Sequence, residues 1–280
     1  MKLGVSVYSF FSYMQKTGAR LTDICTLAKE IGYEGIEFLN ITPERKREGF
    51  SEPAAKAVRE HCERIGLSII AYTVDGDFIQ NGLAEEVSRL KRCVDTAALL
   101  GAPLLRHDAA RGYDGSWRDA VRKIAPAVRE ITVYAEAKGI RTCTENHGFF
   151  LQDAARVEEL ILQVDHENYG WLVDIGNFAC ADEDSVYAVT IAAPYAFHVH
   201  AKDFLVKPAK SDDPGEGWFR SRHGRYLRGT VVGHGCIPVR ACVEILRKNG
   251  YDGWLSYEFE GMEDNLPALE AGIGYLRGVI

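Results

Sequence analysis

The chain has 280 residues, 46% of them hydrophobic and 26% charged, with 40 Asp plus Glu against 33 Lys plus Arg and a formal charge of −7. Such a balance belongs to a globular protein that can bury a large core. It excludes a disordered chain, a collagen-like repeat and a protein whose main work is to grip nucleic acid through a basic face. Seven cysteines with no Cys-x-x-Cys pair offer neither a disulfide framework nor a thiolate zinc site, and they fit a reducing, cytoplasmic setting.

In chain order the first predicted element is an apolar strand, KLGVSVYSF at 2–10. Its one basic residue, interleaved serines and missing small-x-small site argue against a signal sequence. No run of eighteen apolar residues follows anywhere, so no membrane span is expected. Further strands are predicted at 34–40 (EGIEFLN), 67–74 (LSIIAYTV), 103–109 (PLLRHDA), 140–147 (IRTCTENH), 169–176 (YGWLVDIG), 196–203 (AFHVHAKD) and 253–260 (GWLSYEFE). Between them lie helical patterns near 21–31, 53–65, 83–100, 117–138, 153–164, 183–193, 237–249 and 265–278. The run at 117–138 is representative: Val121, Ile124, Val128, Ile131 and Ala135 recur at three-to-four spacing among Arg and Glu, with Pro126 as a candidate kink. Glycines 32, 66, 101, 139 and 250 punctuate the change from helix to strand, because glycine tolerates the left-handed residue that ends a helix.

Strand and helix alternating eight times predict one parallel sheet closed into a (β/α)8 TIM barrel over residues 1–280, rather than the two domains that length alone suggests. An open doubly wound sheet is disfavoured, since the first strand is not followed by a glycine-rich turn. Residues 204–236 break the rhythm. They show no clear period and hold six Lys or Arg against three acids, so a long loop after the seventh strand, at the C-terminal rim, is expected. Arg220, Arg222, Arg225 and Arg228 in that loop are candidate phosphate ligands; Trp218, Phe219 and Tyr226 are candidates for a lid or for contact with a second copy of the chain.

Four strands that ought to be apolar end in ligand-type side chains: Glu145, Asp174, His200 and Glu258. Side chains two apart share a face of a strand, so these four converge on the barrel mouth if that face looks inward. Three carboxylates gathered in a partly dry cavity are costly without a cation, and one divalent ion is the simplest compensation. Three oxygens and one nitrogen favour Mn2+ first, with Mg2+, Zn2+ and Co2+ compatible. Arg106, His107, His147 and Lys202 lie at or beside the same strand ends and are candidate substrate contacts; His198 shares the face of His200 one layer deeper, and Glu37 stands alone among the apolar residues of GIEFL.

ENHG at 145–148, DIGN at 174–177, HAKD at 200–203 and SYEFEG at 256–261 resemble the metal-binding motifs of the xylose isomerase-like TIM-barrel superfamily. The resemblance implies that Glu145, Asp174, His200 and Glu258 hold the metal, and that Glu145 and Glu258 also exchange protons with opposite faces of a substrate. It implies a sugar isomerase or 3-epimerase acting on a small polyhydroxy ketone or aldehyde, through proton transfer beside a metal-polarised carbonyl. A lyase using the same enolisation, an inosose dehydratase or a 3-oxo-glycoside eliminase, is the alternative. There Glu37 and His147 resemble an acid/base pair beside the metal. The sequence departs from the superfamily's pattern at Asn177, where a histidine is common, and at His234, where a glutamate is. With the acidic net charge, Asn177 disfavours the DNA-cleaving branch. A non-catalytic sugar-binding barrel is the reading outside enzymology.

Overall fold

The computed structural model describes residues 1–40 and 50–280. Barrel strands β1 (Lys2–Ser6), β2 (Gly35–Leu39), β3 (Ser68–Val74), β4 (Leu104–His107), β5 (Arg141–Glu145), β6 (Tyr169–Asp174) and β7 (Ala196–Ala201) come first in the chain. After them β8 (Asp203–Lys207), β9 (Phe219–Arg220) and β10 (Tyr226–Thr230) form a sheet of their own, and β11 (Trp254–Tyr257) completes the barrel. The barrel strands are parallel and closed in the order β1-β11-β7-β6-β5-β4-β3-β2, with Val5 in register with Ile36 on one side and Tyr257 on the other.

Helices α1 (Phe11–Thr17), α2 (Leu21–Ile31), α3 (Glu52–Ile65), α4 (Leu83–Leu100), α5 (Trp117–Glu136), α6 (Ala154–Val164), α7 (Ser185–Ala192), α8 (Val239–Lys248) and α9 (Asn265–Arg277) accompany the strands. The architecture is a (β/α)8 barrel. Capping chemistry starts several helices: Ser116 Oγ accepts the Asp119 N–H (3.1 Å) at α5, and the Asp184 carboxylate accepts the Tyr187 N–H (2.8 Å) at α7. Each such cap contributes about 1 kcal/mol. The apolar stripe of α5 is buried as its spacing requires, with Val121, Ile124, Val128, Ile131 and Ala135 all fully covered, and the helix runs through Pro126.

Strand alternation sorts the interior into layers. Ala71, Leu104, Cys143 and Leu172 form a small apolar plug inside the barrel, with Phe197 packed against it. The Arg141 guanidinium lies over the Phe197 ring, 3.5 Å from its centroid. Two residues further along the same strands stand Thr73, Arg106, Glu145 and Asp174, so the layer above the plug is polar.

Two expectations change. The first strand stops at Ser6, whose Oγ accepts the Tyr8 N–H (3.3 Å); the chain then turns through a helical turn, Val7–Phe10, into α1. Residues 204–236 hold regular structure after all, since β10 pairs antiparallel with both β8 and β9. Its strands are too short and too mixed in polarity to announce themselves by period. Asp203 explains how this excursion is closed. Its carboxylate accepts the N–H groups of Phe204 (2.8 Å), Gly233 (2.9 Å), Gly235 (2.9 Å) and Ile237 (3.0 Å), so one side chain ties the outgoing and returning segments together. Gly235 is required there, because a Cβ would lie 2.1 Å from Asp203 Oδ1. Phe219 packs edge-on to Phe204, the Arg228 guanidinium lies over Trp218, and that of Arg220 lies over Tyr226. The aromatic residues of the excursion are therefore folded onto their own sheet.

Among the described residues, no helix is long and apolar enough to cross a membrane.

Candidate metal centre and active site

The C-terminal ends of β5, β6, β7 and β11 deliver Glu145, Asp174, His200 and Glu258 to one point. One ligand atom from each lies within 4.8 Å of all the others. His200 Nδ1 sits centrally, 3.7 Å from Asp174 Oδ2, 3.7 Å from Glu258 Oε2 and 3.8 Å from Glu145 Oε1. These separations exceed hydrogen-bond length, which is what ligands arranged around a shared cation require. Among the described residues, buried Asp174 Oδ2 and His200 Nδ1 make no well-formed hydrogen bond, Asp174 Oδ2 having only the Lys202 ammonium beside it, and the donor set suits a divalent ion. The residues thus fit a metal held by Glu145, Asp174, His200 and Glu258. Burial alone would lower the His200 pKa, yet Glu37 and Glu258 raise it well above the ordinary value. The field at Nδ1 favours positive charge.

The ligands are braced from outside. Asp174 Oδ1 accepts the backbone N–H groups of Gly176 (2.8 Å) and Asn177 (3.0 Å), which leaves Oδ2 for the centre. Asn146, following Glu145, bridges to β6 by donating to the Asp174 carbonyl and accepting from the Trp171 indole. Asn177 Nδ2 donates to Glu145 Oε1 (2.8 Å), and Arg106 Nη2 lies 2.7 Å from Glu145 Oε2. Lys202 Nζ lies 2.5 Å from Glu258 Oε2, 3.2 Å from Asp174 Oδ2 and 3.3 Å from Glu260 Oε2. Burial would raise the Glu258 pKa, but Lys202 and His200 outweigh it and hold it well below the carboxylate range.

Glu37 is placed differently from the expectation. It is fully buried beneath the cluster and does not line the cavity; its Oε2 contacts His198 Nε2 (2.8 Å) and its Oε1 approaches His200 Nε2 (2.8 Å) with poor hydrogen-bond alignment. Alternation along β2 gives the face of Glu37 correctly but not its depth. Its contacts set it behind the His200 ring, on the Nε2 side, an arrangement like that of carboxylate–histidine pairs behind metal sites. His107 also moves out of the site. It faces the helix layer, its ring near Phe78 and Tyr169, and burial pushes its pKa down to about 4. Arg106, its neighbour, takes the inward position. Arg228 lies on the β8–β10 sheet over Trp218 and is absent from the cavity wall.

Above the cluster opens a cavity of about 210 Å3. Arg106, Glu145, His147, Lys202 and Glu258 line it, joined by Asp108 and Glu260, which the sequence places at the rim beside Arg106 and on the face of Glu258, and by Tyr8, Asn40 and Thr73, which the strand pattern did not single out. Tyr8 and Asn40 sit just past a strand end, where periodicity carries no information. Asp108 is the most informative of the lining residues. Both its oxygens lie 3.2 Å from His147 Nδ1, and its Oδ1 lies 2.6 Å from Arg106 Nη2. The carboxylate raises the His147 pKa, and it holds the ring in the tautomer whose Nε2 is free to take a proton. Nε2 makes no bond among the described residues.

A family model described as xylose isomerase-like TIM barrel matches residues 25–279. Among curated proteins, inosose dehydratase of Mesomycoplasma hyopneumoniae is 25% identical over 273 residues, covering 90% of this chain and 86% of that protein. The match to inosose dehydratase of Lacticaseibacillus casei, also 25% identical, spans 149 residues and 48% of its length. Among solved structures, the probable 3-DHS dehydratase AsbF of Bacillus anthracis superposes with a TM-score of 0.77 at 19% identity, covering 99% of each chain. IolI, solved with a zinc atom bound, gives 0.77 at 18% identity over 100% of this chain and 98% of that one. The 3-keto-D-glucoside 4-epimerase YcjR of E. coli gives 0.72 at 18% identity over 99% of each.

Proposed function

Because the chain belongs to the xylose isomerase-like TIM-barrel family, whose model spans residues 25–279, we propose that it is a metal-dependent dehydratase of a small polyhydroxy ketone, a keto-cyclitol or a related oxo-sugar. The observation that carries this reading is an asymmetry among the proton carriers. Both oxygens of Glu145 are engaged, by Arg106 and Asn177, so this glutamate keeps none free to act as a base, while Lys202 holds Glu258 through Oε2. His147, its Nδ1 held by Asp108, keeps Nε2 unbonded among the described residues at the cavity wall. An epimerase of the two-base kind needs two opposed carriers, whereas an elimination needs one group that accepts a proton and returns it.

Glu145, Asp174, His200 and Glu258 would hold a divalent ion, which would supply Lewis-acid polarisation of the carbonyl, worth several kcal/mol toward loss of the adjacent proton. His147 Nε2 takes that carbon-bound proton, while Asp108 stabilises the resulting imidazolium. The carbon–oxygen bond at the β position then breaks, and the departing hydroxyl leaves as water with the proton carried by His147. Atoms balance without a second reagent. Lys202, held between Asp174, Glu258 and Glu260, keeps the ligand carboxylates apart and in place. The curated relatives, which are inosose dehydratases, support the reaction class.

The test is incubation of metal-loaded protein, Mn2+ and Zn2+ in parallel, with 2-keto-myo-inositol and with a 3-oxo-glucoside in D2O, followed by NMR. Loss of water or of the aglycone is the expected result. Deuterium exchange or an epimer without loss moves the protein to the isomerase/epimerase class. No change in either substrate defeats the proposal.

A further inference from the structure

Thr73 and Arg106 are neighbours in register on β3 and β4, both are about 5% exposed, and both line the cavity. Each carries a buried polar atom with no partner among the described residues: Thr73 Oγ1 and Arg106 Nε. The rest of Arg106 is committed, with Nη1 donating to the Val74 carbonyl (3.2 Å) and Nη2 bridging Asp108 and Glu145. A buried hydroxyl without a partner works against the fold, and valine would fill the same volume without it. The position is telling as well. In the closed strand order β3 stands four places from β7 in either direction, so Thr73 faces the strand of His200 across the barrel, and β4 likewise faces β11 of Glu258.

We propose that Thr73, together with the Nε–H of Arg106, forms a subsite that reads one hydroxyl of the substrate on the side of the mouth opposite His200 and Glu258. A molecule whose carbonyl end meets the cluster on β7 and β11 presents its far edge to β3 and β4. Thr73 both donates and accepts, and Arg106 donates, so the pair completes the hydrogen bonds of an alcohol, which a methylene cannot offer. Thr73 is thereby a specificity-determining residue, and it selects rings hydroxylated opposite the ketone. The inference rests on the reading of the site as one for a small polyhydroxy ketone, though not on the reaction class.

Three measurements on metal-loaded protein test it. Thermal unfolding without ligand compares wild type with Thr73→Val: the valine variant is expected to be at least as stable, and a clear loss of stability would reveal a structural partner for the hydroxyl and overturn the subsite. Calorimetric titration with 2-keto-myo-inositol and with myo-inositol follows. Thr73→Val is expected to bind about 10- to 100-fold more weakly, while Thr73→Ser stays within about threefold of wild type. In turnover the loss falls on KM rather than on kcat. Across single-deoxy inositols the Thr73→Val defect disappears for the analogue that lacks the hydroxyl being read. Equal affinity of wild type and Thr73→Val for every probe, or no binding of any probe to wild type, overturns the proposal. Thr73-dependent binding without loss of water would instead strike the dehydratase reading and leave the subsite standing.

Discussion

The two halves of the barrel mouth are built on opposite plans. On β5, β6, β7 and β11, inward side chains are ligand types whose atoms stop short of one another, 3.7 to 3.8 Å from a central imidazole nitrogen. On β2, β3 and β4, inward side chains bond to their neighbours, Arg106 to Asp108 and Asn40 to Asp75, and leave a few isolated donors and acceptors. The first arrangement suits a shared divalent cation, beside the Lys202 and Arg106 charges that already flank it; the second suits a neutral molecule rich in hydroxyls. The lesson is that catalytic machinery and recognition surface are separable here. His147 is the exception, since it belongs to β5 in sequence and to Asp108 of the other half by hydrogen bonding.

The largest expected effect breaks the half that carries proton transfer. His147→Asn should lower kcat by about 10^2- to 10^4-fold while leaving bound metal unchanged, as read by elemental analysis beside steady-state kinetics; loss of metal in that variant would show that the halves are not separable. Asp174→Asn comes next. It should weaken metal affinity by more than about 100-fold, exceeding the range for residues behind the ligands. Glu37→Gln should fall inside that range, about 10- to 100-fold, because it releases His200 without removing a ligand; chelator competition ranks the two. A Glu37 variant with undiminished metal affinity but no turnover would restore Glu37 as a proton carrier.

The smallest effect sharpens the β3 side. Glu86 organises the loop after β3 by accepting from the Asp77 N–H (2.9 Å), from Asn81 Nδ2 (3.0 Å) and from Arg89 Nε (2.9 Å). Burial would raise its pKa, but Arg89 and the Asp77 N–H outweigh it and the net shift is downward. A lowered folded-state pKa means stability present above the unfolded carboxylate value of about 4.3 and lost as pH falls through the folded value. Glu86→Gln should therefore cost about 1 to 3 kcal/mol near neutral pH, and chemical denaturation should show this difference shrinking below about pH 4.

Much of the barrel was legible because alternation and helical spacing repeat along the chain, and the acids at the ends of β5, β6 and β11 interrupt otherwise apolar strands. Glu37 shows the limit of that reading: periodicity assigns a face, not a depth. His107 shows a signal left unused, since Leu104 and Arg106 already occupy the inward face and place the histidine outward. Nothing in the sequence pairs Asp108 with His147, Asn177 is marked there only as a departure from the superfamily's pattern, and Thr73 carries no mark. Their importance comes from neighbours 39, 32 and 33 positions away, namely His147, Glu145 and Arg106, and only folding brings those together.

The Asp203 clamp has one more consequence. Because a single carboxylate gathers the departing and returning ends of residues 204–236, the excursion leaves and re-enters the barrel at one point. Closing such a loop costs little more when it is longer, growing only with the logarithm of its length. The segment can be extended, trimmed or exchanged without moving His200, three residues before the clamp. The part of the chain least readable as sequence is also the part most open to rewriting.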